Sequence, residues 1–105
     1  MNKITVLVKR VEEDFKVESI DNTLEAFQKF VGGYIEVLNM GSGIVAIMNE
    51  EGKLKDMKAN LPIHRNGILA DILHGDIMFA GTDGSGDMDS ISDEQVEMVK
   101  QYFNY

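Results

Sequence analysis

The stretch from Lys53 to Asn66 gathers most of the side chains that could bind an anion. Its seven candidate ligands are Lys53, Lys55, Lys58, Asn60, His64, Arg65 and Asn66. Lysine and arginine donate charge-assisted hydrogen bonds to phosphate or carboxylate, and asparagine can read the edge of a base. The sequence therefore predicts a site for an anionic, nucleotide-type ligand. The alternative is that these bases pair with acids of neighbouring elements at the surface, at about 0 to 1 kcal/mol per pair.

The distribution of charge makes that basic stretch stand out. The chain has 18 acidic and 10 basic residues, for a net charge of -8. Residues 53–65 carry four bases against Asp56, whereas residues 66–105 carry eight acids against Lys100. The overall sign repels nucleic-acid backbones, so we expect no general nucleic-acid binding. The acidic C-terminal third raises a second hypothesis, an inhibitor that imitates nucleic acid and occupies a basic groove on another protein.

Other chemistry finds less support in the residues. From Asp83 to Glu94, oxygen-bearing side chains follow the spacing of a helix-loop-helix calcium loop, but Met88 stands where that loop needs glycine. We interpret this segment as a solvated acidic loop. Neither His64 nor His74 has a partner at metal-ligand spacing, no serine nucleophile elbow is present, and the chain has no cysteine. We therefore expect no catalytic residues, no metal, no cofactor and no enzyme activity.

The N-terminal third predicts a strand hairpin followed by a helix. Apolar and polar residues alternate over residues 4–9 and again over residues 15–20, as in two antiparallel strands that each bury one face. Asn22 is the expected N-cap of the helix, with Glu25 completing a capping box. Gly32 is its expected end, because a residue at positive φ commonly terminates a helix.

The central part predicts further strands. Residues 34–40 and 44–49 read as a hairpin closed by a glycine-containing turn, and residues 75–81 as a last strand bounded by glycines. Gly52 is expected at positive φ in the turn after the hairpin. Residues 54–73 show no regular pattern and are predicted to be irregular, apart from a turn signal at Asn66 and Gly67.

A second capping box at Ser92 predicts a C-terminal amphipathic helix. The expected fold class is α+β: a mostly antiparallel sheet of about five strands with two amphipathic helices packed on one face, in the order β-β-α-β-β-(irregular)-β-α. Residues 1–105 are expected to form a single domain.

The sequence shows no apolar run long enough to cross a bilayer and no export signal in its first residues, so we expect a cytoplasmic protein with no membrane partner. Four aromatic residues near the helices would suit self-association or a partner: Phe30, Tyr34, Tyr102 and Tyr105. A two-fold homodimer is the default form of such an oligomer.

Several segments together resemble the family catalogued as domain of unknown function 3846. They are Ile20–Val37, Asn49–Leu54, Leu61-Pro62 with Arg65, Gly75–Gly81 and Ile91–Gln95. His64 departs from the pattern, in which we expect asparagine before the arginine. The resemblance carries no activity and no established site residues. It implies frequent carriage by phages and other mobile elements, and hence an accessory role in the cytoplasm of a bacterial host.

Three functional hypotheses follow. The first is a host-defence antagonist that binds an anionic nucleotide signal through residues 53–66. The second is the acidic inhibitor of a host protein, acting through the C-terminal third. The third is a mobile-element accessory domain that binds a phage-encoded protein and has no defence role.

Overall fold

The structure is a computed structural model that describes residues 2–103. These residues form eight strands and two helices, one after β2 and one after β8. They are β1 (Lys3–Lys9), β2 (Lys16–Asp21), α1 (Leu24–Val31), β3 (Ile35–Gly41), β4 (Ile44–Asn49), β5 (Ala59–Arg65), β6 (Ile68–His74), β7 (Ile77–Thr82), β8 (Met88–Asp89) and α2 (Asp93–Tyr102). Tyr105, one of the four aromatics expected near the helices, lies outside the described residues. No helix among residues 2–103 is long and apolar enough to span a membrane.

The main sheet is antiparallel and has the order β2-β1-β7-β4-β3, with the short β8 beside β7. The two predicted hairpins, β1-β2 and β3-β4, are confirmed, and β7 lies between them. It pairs with both inner strands, for example Phe79 with Leu7 on one side and with Ala46 on the other. The predicted α+β class with an antiparallel sheet and two helices is therefore confirmed.

The two helices lie on opposite faces of this sheet, and not on one face as the sequence predicted. Phe27 of α1 packs with Val6 and Ile47, whereas Phe103, at the end of α2, packs with Leu7 and Phe79. Successive side chains of a strand point to opposite faces, and every residue of β4 is buried. A strand that is buried on both sides needs a cover on each, so one helix takes each face.

Residues 54–73 were predicted to be irregular, and this was wrong: most of them form a second, two-stranded sheet, β5-β6, which packs over the α2 face. Asn66 and Gly67 close it as a two-residue turn at φ 53 and 77, the geometry that a tight hairpin requires. Two register shifts, at Ala59/Leu61 and at Ile63/His64, break the alternation of the strands.

The helix termini follow the sequence except at the start of α1, where both the predicted N-cap and the predicted capping box with Glu25 are wrong, because Ala26 and not Glu25 lies three residues after the cap. The hydroxyl of Thr23, and not Asn22, caps α1 by accepting from the amide of Ala26 at 3.1 Å. The Asn22 amide group donates instead to the carbonyl of Met88, at 3.1 Å. Gly32 ends α1 at φ 80, as predicted. The predicted capping box of α2 is also confirmed, with Ser92 and Gln95 exchanging hydrogen bonds.

Gly52 does not take a positive φ, contrary to the sequence prediction. A Cβ at this position would lie 3.1 Å from the carbonyl oxygen of His74 and 3.3 Å from its Cβ. Glycine is therefore needed because the loop after β4 passes close to the end of β6. This contact holds the loop against the hairpin and shapes the groove described below.

Candidate functional site

The seven residues predicted as anion ligands lie in four places. Lys53 is in the loop after β4, Lys58 and Asn60 are at the start of β5, and His64, Arg65 and Asn66 are at the hairpin tip, while the Lys55 ammonium lies near Gly33. A strand rises about 3.3 Å per residue, so the start of β5 is about 20 Å from its end. The seven residues therefore do not line one common cavity, and anion binding by any of them stays a prediction.

Two of the predicted lysines are in surface ion pairs. The ammonium of Lys58 lies 2.7 Å from a carboxylate oxygen of Glu12, and that of Lys53 lies beside Asp71. The hydrogen bond to Glu12 raises the pKa of Lys58, and the same bond lowers the pKa of Glu12. All four side chains are largely exposed. This is the alternative considered in the sequence analysis, in which the basic residues pair with acids of neighbouring elements at the surface.

Asn60 uses its amide group inside the protein. Its nitrogen donates to the carbonyls of Lys9 and Gly75 at 2.7 and 2.8 Å, and its oxygen accepts from the Lys9 ammonium at 2.9 Å. The Lys9 side chain also donates to the carbonyl of Arg10. These bonds fasten the start of the hairpin to the end of β1. Asn60 therefore has a structural role in this geometry.

The hairpin tip carries the remaining predicted residues. His64 and Arg65 line a shallow cavity of about 160 Å³ beside Met40 and Tyr102. The Tyr102 hydroxyl donates to the His64 carbonyl at 3.1 Å, which ties the tip to α2. Asn66 occupies a turn position. Within residues 2–103, no carboxylate lies within ion-pair distance of Arg65, which makes it the most available of the predicted cations at this tip.

A larger groove, of about 410 Å³, lies between β6, the loop after β4 and the β3-β4 edge of the main sheet. Apolar residues of β3, β4 and β6 contribute to its lining: Leu38, Met48, Ile72 and Leu73. Four carboxylates also line it, against the one ammonium of Lys53: Glu36, Glu50, Glu51 and Asp71. We call this cavity the acidic groove. Its charge is suited to a cation and opposes an anion.

Hydrogen bonds fix the position of the segments that line the acidic groove. The buried Asn49 donates to the Val31 carbonyl at 3.1 Å and accepts from the amide of Glu51 at 2.7 Å, which fixes the turn that carries the acids. Asp71 accepts from Lys53 and, at 2.7 Å, from the amide of Ile72. The Lys53 bond first, and then this amide, lower the pKa of Asp71.

Sequence reasoning missed the acidic groove because its acids come from three separate parts of the chain. Glu36 is on β3, Glu50 and Glu51 follow β4, and Asp71 is on β6. The pair of glutamates directly after a buried strand was the one local signal. No pattern along the chain indicates that β6 would lie beside them.

Exposed apolar side chains form a second feature, which we call the hairpin patch: Pro62, Ile68, Leu69 and Ile72. Ile68 is 72% exposed, Leu69 52% and Ile72 37%. Pro62 is paired directly with Ile72 across the hairpin, on the side turned away from the buried Leu61 and Leu73. The hairpin therefore buries Leu61 and Leu73 on one side and presents Pro62 and Ile72 on the other, while Ile68 and Leu69 are exposed near its tip.

The acidic loop before α2 is closed by its own hydrogen bonds. One carboxylate oxygen of Asp83 accepts from both the amide and the hydroxyl of Ser85, and these bonds lower the pKa of Asp83. Over residues 2–103, no three histidine, aspartate or glutamate side chains are placed to hold a metal ion.

A family model described as a domain of unknown function, DUF3846, matches residues 4–104. The chain therefore belongs to this family, as the resemblance of its segments indicated. Comparisons with curated proteins and with solved structures found no match.

Proposed function

We propose that this protein is a non-enzymatic accessory protein of a phage or other mobile element, which acts in the host cytoplasm by binding another protein through the hairpin patch. The observation that carries the proposal is the exposure of Ile68, Leu69 and Ile72 on one strand. Large apolar side chains exposed close together in this way are typical of interaction sites, and covering them gains roughly 25 cal/mol per Å².

The contrast with β2 supports this proposal. β2 is an edge strand of the main sheet and carries Lys16 and Glu18, charges that discourage pairing with another chain. β6 pairs with β5 alone among the described residues, and it carries one acidic side chain, Asp71, and no lysine or arginine. β6 therefore lacks the protection that β2 has.

The anionic-ligand hypothesis has less geometric support than this proposal. Its predicted residues are spread along the hairpin, two of its lysines have carboxylate partners, and the 410 Å³ groove is acidic. It stays a prediction that calorimetry with cyclic and linear nucleotides would test. We therefore favour protein binding, which the sequence raised as an alternative.

Site-specific photo-cross-linking in the producing cell tests the proposal. A benzophenone amino acid at Leu69 is expected to give a discrete adduct with one other protein, identified by mass spectrometry. The same amino acid at Glu13, exposed in the β1-β2 turn, is the matched control. Absence of an adduct at Leu69, the same adducts from both positions, or an adduct with a second copy alone would contradict the proposal.

A double variant, Leu69→Asp with Ile72→Asp, gives a second measure. It should abolish capture by the tagged protein of the partner so identified. Because Leu69 is about half exposed and Ile72 about one-third, the free energy of unfolding should fall by about 0.5 to 3 kcal/mol, and thermal unfolding shows whether the variant is folded. Undiminished capture by the folded variant would show that the patch is not the binding surface.

A further inference from the structure

The acidic groove adjoins a strand edge that no other strand covers. β6 pairs with β5 on one side, and within residues 2–103 no strand pairs with its second side. Beside this edge, the Ile72 amide donates to the side chain of Asp71 at 2.7 Å. An extended segment laid along this edge could form main-chain hydrogen bonds with β6, the mode of binding known as strand addition.

The side chains around this edge define what such a segment would carry. Leu38, Met48 and Leu73 offer apolar contacts, which suit aliphatic side chains. Asp71 is neutralised by Lys53, but Glu36 and Glu50 have no ion-pair partner among the described residues. A lysine or arginine brought between these carboxylates would be attracted by both, whereas an acidic side chain would be repelled.

We propose that the acidic groove binds an extended segment of the partner protein, with aliphatic side chains in the groove and a lysine or arginine between Glu36 and Glu50. This inference rests on the proposed function and names the chemistry of the partner. Three residues of the hairpin patch lie on the same strand, so one partner segment along β6 contacts both surfaces.

Selection from a displayed library of random short peptides tests the inference on the full chain. Peptides enriched by the immobilised protein are expected to combine aliphatic residues with at least one lysine or arginine. Their affinity should fall as sodium chloride is raised, because the contact between opposite charges is partly exposed. No enrichment, or enrichment of acidic peptides, overturns the inference.

Charge reversal locates the bound peptide. Glu50→Lys and Glu36→Lys should each weaken the enriched peptides by about tenfold or more, which corresponds to about 1.4 kcal/mol. Glu13→Lys is the matched control, since Glu13 is also an exposed acid but does not line the groove. Equal thermal unfolding midpoints show that the variants are folded. Peptides unaffected by both groove substitutions would overturn the inference.

The two proposals fail in distinguishable ways. If Leu69 gives an adduct but the groove substitutions do not change the affinity of the peptides, the groove is not the binding site and the proposed function still stands. Light scattering of the protein alone tests the other occupant, a second copy of this chain. If the protein is a dimer and Glu50→Lys dissociates it, a second copy of the chain occupies the groove, and the inference that a partner segment binds there is overturned.

Discussion

Lys9 is a buried cation whose described partners are neutral oxygens. Its side chain is 5% exposed, and its ammonium donates to the carbonyl of Arg10 and to the side chain of Asn60. Hydrogen bonds to a charged group contribute about 1.5 to 3 kcal/mol, and their loss in the interior costs more than their loss at the surface. Asn60 also satisfies the carbonyls of Lys9 and Gly75, so one amide supports three groups.

We predict that Asn60→Ala lowers the free energy of unfolding by about 2 to 3 kcal/mol, because it leaves the Lys9 ammonium and two carbonyls short of a partner. Urea denaturation measures this change. Lys58→Ala is the control two residues away: it removes an exposed ion pair and should cost no more than about 1 kcal/mol. Equal effects of the two substitutions would show that the Asn60 bonds do not stabilise the fold.

Arg10 and Glu18 give a pH-dependent contribution to stability. Two guanidinium nitrogens of Arg10 donate to the two carboxylate oxygens of Glu18 at 2.6 and 3.0 Å, and the same guanidinium lies 5.3 Å from the ring centroid of Phe30. The bond to Arg10 holds the pKa of Glu18 below its ordinary value of 4.5. The ionised form is therefore favoured by folding, and the pair stabilises the protein above that ordinary pKa.

We expect Glu18→Gln to be less stable than the parent protein at pH 7, and the difference to shrink as the pH falls through the lowered pKa of Glu18. Protonation removes the same charge that the substitution removes, so the two proteins converge. Urea midpoints across the acidic range measure this. Glu97→Gln, at an exposed position of α2, should show no such convergence. A difference that is constant with pH would contradict the assignment to this pair.

Single residues also show where a sequence pattern stops being informative. The sequence indicates that α1 has a cap, but Asn22 and Thr23 are adjacent and both belong to the residue types favoured at this position. The choice is made by Met88, whose carbonyl takes the Asn22 amide from a distant part of the chain. Gly52 is similar, because the close approach of His74 requires it and no local rule reports that contact.

At the scale of elements, local patterns predicted most of the main sheet and both helices. β1, β4 and β7 have the apolar runs that buried strands require, and the turn between β3 and β4 has the glycines that a tight hairpin requires. The β5-β6 hairpin was not predicted from the sequence, and the reason is physical. Two bulges interrupt its period, and its outer side carries apolar residues where an exposed strand normally carries polar ones. The feature that hid the hairpin is the one on which its proposed function depends.

The turn at Asn66 and Gly67 should control the stability of this hairpin. Gly67 has φ 77 and no atom near its missing Cβ, so substitution there meets backbone strain and no steric contact. Gly67→Ala is expected to cost about 1 to 2 kcal/mol, and Gly67→Asn less, because asparagine tolerates this conformation. Urea denaturation gives the cost, and amide hydrogen exchange shows whether β5 and β6 lose protection first. Equal costs for both substitutions would contradict the strain argument.

At the scale of the whole molecule, residues that are neighbours in the sequence are separated by the fold, and residues distant in the sequence are brought together. The predicted site, residues 53–66, is continuous in sequence, but a strand extends it across the protein. The acidic groove joins Glu36, Glu50 and Asp71, which the sequence separates. Only the packing of the second sheet on the first determines this result, and that packing depends on contacts between residues distant in the chain.

The excess of negative charge is concentrated at one end of the molecule. Strand register places Asp21 opposite Lys3, and β8 and the loop before α2 lie at this same end, where the Ile91 amide donates to Thr5. Six carboxylates gather here, against the ammonium of Lys3: Asp21, Asp83, Asp87, Asp89, Asp93 and Glu94. Such a field would slow the approach of an acidic partner and speed that of a basic one.

This concentration of charge should also lower stability at low ionic strength. Asp87 is exposed, and Asp87→Lys should raise the free energy of unfolding by up to about 1 kcal/mol, the scale of one close pair of charges in water. At about 1 M salt the screening length falls to about 3 Å, so the gain should largely vanish. Urea denaturation at both salt concentrations measures it. A gain that persists at high salt would have to come from packing or backbone conformation, and the repulsion among these carboxylates would then not be its cause.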